Sequence, residues 1–137
     1  MNEFEQTLVL IKPDALKISL TGYILTQFSE FHTGLRFAGA KIVHVSRMLA
    51  EEHYAEHRDK PFFGELVGFI TSGTVVVARL QGESAIDVWR TMMGPTDPST
   101  APPGTIRGDF GLIITENIVH GSDSPTSAER ELKLFFV

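Results

Sequence analysis

Gly104-Thr-Ile-Arg-Gly-Asp-Phe-Gly-Leu-Ile-Ile-Thr-Glu-Asn-Ile-Val-His-Gly-Ser-Asp-Ser-Pro125 sets glycine and charge on both sides of an apolar centre, with His120 near its end. Arg107 and Asp109 flank Gly108, and Gly121 leads into Ser-Asp-Ser-Pro, strong turn chemistry. A histidine held at a bend with an arginine nearby suggests chemistry on an anion. A merely well-packed loop is the competing account.

Upstream, residues 94–104 hold four of the chain's seven prolines. Prolines stiffen a loop that must keep a shape, and its length favours a functional loop over a linker. Before it, Ser84 can cap a helix whose stripe includes Ile86, Trp89 and Met93, ended by Gly94-Pro95. Arg90 lies in its last turn, where complementing the helix dipole is the plain structural role. Thr74–Leu80 is strongly β-branched and reads as an interior strand. Pro61 opens a short helix with Phe63, Leu66, Val67 and Ile70 on its apolar face. Phe62 falls off that stripe, so it lines a groove or packs at an edge.

Residues 50–58 read as a polar helix with Tyr54 its main bulky side chain. His53 and His57 lie four apart on one face. The zinc-protease pattern needs glutamate right after the first histidine, and Tyr54 stands there, so both read as solvated. Residues 40–48 alternate as a strand, with Ile42 and His44 on one side and Val43 and Val45 on the other. Residues 32–39 read as a turn or short hairpin. Thr21 can cap a helix with a stripe of Ile24, Leu25, Phe28 and Phe31. Residues 7–11 form a central strand, stopped by Lys12-Pro13-Asp14; Lys12 faces a cleft or solvent. Downstream, Ser127 can cap a last short helix, and Leu132, Leu134, Phe135 and Phe136 dock on the body.

This order predicts an α/β sandwich with helices on one sheet face, a split βαβ arrangement being the natural candidate. The length of 137 residues fits one domain, and 42% apolar content fits a globular core. A net charge of −5 argues against nucleic acid or an anionic membrane as main partner. Without cysteine there is no disulfide, thiol nucleophile or thiolate metal site. No apolar run is long enough to span a membrane, and the acidic N-terminus is unlike a signal peptide, so a cytoplasmic location is expected.

Three chemistries compete. A metal hydrolase lacks a good ligand set. A classical phosphate-binding loop fails because Gly34-Leu-Arg-Phe-Ala-Gly39-Ala-Lys41 has no hydroxyl after the lysine and precedes a strand. Histidine chemistry on phosphate remains: neutral imidazole is a competent nucleophile, and Lys12, Arg90 and Arg107 could hold phosphate charge.

The motifs Leu10–Asp14, His57–Phe63, Pro102–Phe110 and Asn117–Pro125, followed by Ser127–Glu131, closely resemble the nucleoside diphosphate kinase family over nearly the whole chain. The resemblance implies an α+β sandwich: a ferredoxin-like βαββαβ domain over residues 1–137, with a four-stranded antiparallel sheet and an extra helix pair. It implies ping-pong transfer of a γ-phosphate from a nucleoside triphosphate to a diphosphate. His120 matches the phosphorylated histidine, attacking through Nδ1, Glu131 the carboxylate that orients it, and Tyr54 a neighbour of the histidine. Lys12, Phe62, Arg90, Thr96, Arg107 and Asn117 match the nucleotide site: Arg90, Thr96 and Arg107 on phosphates, Lys12 and Asn117 on the sugar, Phe62 stacked on the base. Asp109 matches a residue that holds the loop, and Gly108 and Gly121 match tight turns beside reacting groups. Mg2+ is expected through substrate phosphates, with no all-protein metal site. The alternative within the same fold is a catalytically silent or protein-phosphorylating nucleotide-binding regulator.

Residues 29–39 are longer than the family's usual turn, an insertion around 31–37 near a subunit contact. Longer members of that family carry a tail beyond the position of Val137 that contributes to assembly, so assembly is expected to differ. The 94–104 loop matches contacts around a three-fold axis, so a homo-oligomer is expected, a hexamer ahead of a tetramer.

Overall fold

Residues 8–11, Leu-Val-Leu-Ile, are fully buried because both faces of their strand are covered. The structure is a computed structural model and describes residues 4–27 and 33–136. Strand β1 (Phe4–Ile11) lies inside the sheet. It pairs antiparallel with β3 (Thr74–Glu83) on one side and with the short β4 (Val119–Gly121) on the other. Strand β2 (Arg36–His44) pairs with β3 at the edge, giving the order β2-β3-β1-β4. This is the expected four-stranded antiparallel sheet.

Alternate residues of β1 and β3 feed two separate cores. Val9, Ile11, Val76, Ala78 and Leu80 pack with Ala15 of α1 (Pro13–Lys17), Ile24 of α2 (Thr21–Gln27), and Trp89 and Met93 of α5 (Ala85–Met93). Leu8, Leu10, Val75 and Val77 pack with α3 (Arg47–His53), α4 (Phe63–Ile70) and α7 (Pro125–Phe135). Helices therefore cover both sheet faces, not one. Helices α3, α4 and α7 make the second layer, which is why the central strands show no polar face.

Several boundaries differ from the sequence reading for local reasons. Strand β2 begins at Arg36, inside the stretch read as a turn, because β3 runs on to Glu83 and offers partners to Arg36 and Phe37. It ends at His44 because Ser46 caps α3, its hydroxyl accepting from the Leu49 amide at 3.1 Å. The alternation holds: Val45 is buried while Ile42 is 73% exposed. The helix read over 50–58 breaks at Tyr54 into a separate 3-10 turn, Ala55–His57. Ser84 has a left-handed backbone (φ 52°) and does not cap α5. The Glu5 carboxylate takes that part, accepting from the Ile86 amide at 3.2 Å. Ser124, not Ser127, caps α7, with Pro125 in its first turn. Leu112, Ile113 and Ile114, the apolar centre of the opening stretch, are exposed. Phe28 and Phe31, and the start of the insertion expected around 31–37, lie outside the described residues. Among the described residues no helix is long and apolar enough to cross a membrane.

Gly121 is required by proximity rather than by a turn. A Cβ there would penetrate the Trp89 ring and the Met93 methyl. Gly121→Ala should therefore destabilise the chain by about 1–3 kcal/mol, read as a lower urea midpoint. An unchanged midpoint would mean that α5 moves away freely.

Candidate active site

The cleft is built where β1 ends and β4 begins. Ile118, a fully packed β-branched residue, has φ 76°, a conformation that costs roughly 1–2 kcal/mol for an L-residue. Two bonds hold it there. The Ile118 amide donates to Asp14 Oδ2 at 3.0 Å, and the Lys12 amide donates to the Ile118 carbonyl at 2.9 Å. The sharp bend sits between Asn117 and His120, both of which line the cleft. Gly108 and Gly121, expected at tight turns, do not have positive φ; both are sites of close approach.

His120 pairs with Leu10 across the β1–β4 ladder, and Trp89 Nε1 donates to its carbonyl at 3.2 Å. Its Nε2 lies 2.7 Å from Glu131 Oε1 on α7. That oxygen also accepts from the Ser122 hydroxyl at 2.9 Å. Ser122 in turn accepts from the Leu8 amide, and its own amide donates to Thr7 Oγ1. With the carboxylate acting as acceptor, the imidazole proton belongs on Nε2, which leaves the Nδ1 lone pair unused by this network.

All nine residues singled out from the sequence line one cleft of about 230 Å3: Lys12, Tyr54, Phe62, Arg90, Thr96, Arg107, Asn117, His120 and Glu131. The side chains are not equally free. Asn117 Nδ2 donates to the carbonyls of Thr96 and Ile114, and its Oδ1 accepts from Lys12 Nζ at 2.8 Å. Arg107, near the start of α6 (Ile106–Phe110), donates to three carbonyls: Asn117 at 3.3 Å, Gly94 at 3.1 Å and Val119 at 2.7 Å. Two of its five N–H groups remain for a ligand. It thus ties the proline-rich loop to β4 as well as facing the cleft. Asp109 accepts from the Gly104 amide at 2.9 Å and closes that loop. Arg90 and Thr96 are exposed at the rim, and Phe62, 38% exposed, stands with them.

Charge crowding perturbs the cations. Burial, then the charge of Arg107, lowers the Lys12 pKa to about 7, against a smaller opposing pull from Asp14. Burial and then Arg90 lower Arg107 to about 10, so it stays charged at neutral pH. Burial and the Glu131 carboxylate push the Tyr54 phenol up, keeping it protonated. An anion returning charge to Lys12 should bind with proton uptake. At pH 8 the free protein holds little of that proton, so nucleotide binding should take up nearly one, measured by calorimetry in buffers of different ionisation enthalpy. Uptake near zero would mean that Lys12 is already charged. The same shift has a sign for stability. Between about 7 and the ordinary lysine value the unfolded chain binds the extra proton, so this contribution rises with pH across that window.

His53 departs furthest from the sequence reading. It is buried at 3% exposure, stacked edge-on against Tyr54, His120 and Phe135, and both ring nitrogens lack a partner. His57 also lines the cleft, so neither histidine is a solvated surface group. Asp14 and Ser122 were not singled out either. Their sequence signal is only that of ordinary turn residues.

A split βαβ sheet with a carboxylate-held histidine in a basic cleft defines an α+β class of histidine-centred sites. A model of the nucleoside diphosphate kinase family matches residues 5–137. The nucleoside diphosphate kinase of Rubrobacter xylanophilus is 60% identical over 132 residues, covering 96% of this chain and 98% of the relative. That of Deinococcus radiodurans is 54% identical, covering 96% and 94%. A solved structure of the Halobacterium salinarum nucleoside diphosphate kinase in complex with CDP superposes with a TM-score of 0.92 at 46% identity, covering 98% of this chain and 88% of that one. The chain belongs to the nucleoside diphosphate kinase family. It is a phosphotransferase acting between nucleotides.

Proposed function

We propose that the chain moves the γ-phosphate of a nucleoside triphosphate to a nucleoside diphosphate in two half-reactions through His120. The observation that carries this reading is the Glu131–His120 bond at 2.7 Å, which commits Nε2 and leaves Nδ1 to the cleft. In the first half, the Nδ1 lone pair attacks the γ-phosphorus, the bond to the β–γ bridging oxygen breaks, and the diphosphate leaves with that electron pair. The imidazole becomes a phosphoimidazolium whose proton stays on Nε2, donated to the Glu131 carboxylate. In the second half, a terminal oxygen of another diphosphate attacks phosphorus and the N–P bond breaks. Arg90, Arg107 and Thr96 hold phosphate oxygens as charge shifts, and Lys12 and Asn117 hold the sugar. Tyr54 packs beside the reacting histidine.

Mg2+ enters with the nucleotide in this reading. Of the acidic groups lining the cleft, Glu56, Asp123 and Glu131, the last is committed to His120 and Ser122. Carried on the substrate phosphates, the ion would neutralise part of their charge during transfer.

The test is ATP-dependent conversion of a diphosphate with parallel double-reciprocal plots. Absence of conversion would overturn the proposal. Phe62→Ala should weaken nucleotide binding by about 1–3 kcal/mol without much changing base preference, since stacking reads a π-face. A changed ranking of bases would assign Phe62 a different role.

We also infer one domain over 1–137, a cytoplasmic location, and a homo-oligomer, a hexamer ahead of a tetramer. The exposed edge strand β2, with Phe37 and Ile42 outward, supports assembly. Solution mass by light scattering distinguishes the two.

A further inference from the structure

His53, His120 and Glu131 each present one ligand atom, and these atoms all lie within 4.8 Å of one another. We propose that this trio binds a zinc-class divalent cation and that the bound ion silences His120. The site is distinct from magnesium on a nucleotide, and its test does not depend on the phosphotransfer mechanism proposed above.

Three observations carry it. First, His53 is buried with both ring nitrogens unpartnered, an arrangement that native proteins rarely leave without a ligand, water or ion. Second, its ring meets His120 edge-on with centroids 4.7 Å apart, so a nitrogen of each can converge on one point. Third, Glu131 Oε1 already sits 2.7 Å from His120 Nε2, supplying the negative ligand. Two imidazoles and one carboxylate suit zinc far better than magnesium, which prefers oxygen. Around zinc, bonds of roughly 2.1 Å place donors about 3.4 Å apart, so side-chain rotation must draw the widest pair in from its 4.8 Å limit and part Glu131 Oε1 from His120 Nε2, now at 2.7 Å. The fourth position opens on the cleft, which all three ligands line.

The proton balance explains the silencing. In the free site the imidazole proton is on Nε2 and the lone pair on Nδ1. Zinc taking Nε2 forces that proton to Nδ1, through solvent. The nitrogen that would accept phosphate then has no lone pair. No proton is lost from His120 overall.

The test uses the whole protein without nucleotide and zinc chloride as the probe. Calorimetry should find one zinc per chain. Diethyl pyrocarbonate, mapped by mass spectrometry, should then fail to acylate His120 while still reaching His44. Loss of outer partners alone costs metal sites 10–100-fold, so His53→Gln, losing a direct ligand, should weaken binding by at least about 100-fold. No zinc binding, zinc that leaves His120 unprotected, or His53→Gln affinity within about threefold of the parent would each overturn the proposal. If that variant does not fold, the protection map on the unaltered protein decides alone.

Discussion

His120→Ala should form no acid-labile phosphoenzyme with γ-labelled ATP, while the unaltered chain should take up one label per chain. Transfer should fall on the order of 10⁴-fold or more, because removing a covalent nucleophile removes both half-reactions. The fold should survive. The side chain is partly exposed to the cleft, and the strand position is fixed by the Leu10 pairing and by Trp89 donating to the backbone carbonyl, none of which needs the imidazole. Unfolding by urea separates the two effects. Full labelling of the variant would move the nucleophile elsewhere and take the ping-pong scheme with it.

Arg107→Ala should damage both activity and stability, which a rim phosphate contact alone would not do. Its guanidinium satisfies carbonyls at Gly94, Asn117 and Val119. Charged hydrogen bonds contribute about 1.5–3 kcal/mol each, and stranded buried acceptors cost further, so a loss of roughly 3–5 kcal/mol in stability is expected. Catalytic efficiency should fall by at least about 10²-fold from the missing phosphate charge alone. Arg107→Lys should recover part of the charge and little of the stability, since an ammonium cannot span three carbonyls with the same fork. Lost activity with unchanged stability would reduce the residue to a phosphate ligand.

Much of this site was legible in the chain, and the reasons are local. His120 stood out because a histidine followed by Gly-Ser-Asp-Ser-Pro is poor structural material. Interior strands were readable in β1 and β3 because unbroken β-branched and leucine runs leave no polar face. What escaped depends on tertiary neighbours. His53 looked solvated because its helix face is otherwise polar, and only α7 and β4 folding over it make it buried. That helices cover both sheet faces was not legible, because short helices with broken stripes, such as Arg47–His53, carry too little periodicity to show which face they cover. Ser84 and Ser127 both looked like caps. Glu5 and Ser124 serve instead, one supplied by another strand and the other three residues earlier. Arg107 was readable as a cleft cation, but its triple carbonyl grip rests on loops that meet only in space.

The bend at Ile118 joins chain segments synthesised far apart in time. Its amide waits on Asp14, 104 residues earlier, and its neighbour strand must find the far side of β1. Of the four strands β1 leaves the ribosome first, yet like β3 it is flanked on both sides in the finished sheet. Until residues 74–83 and then 119–121 arrive, an apolar, unpaired template is exposed to its surroundings. Such late, long-range closure slows folding and leaves the nascent chain dependent on protection from strand-to-strand association.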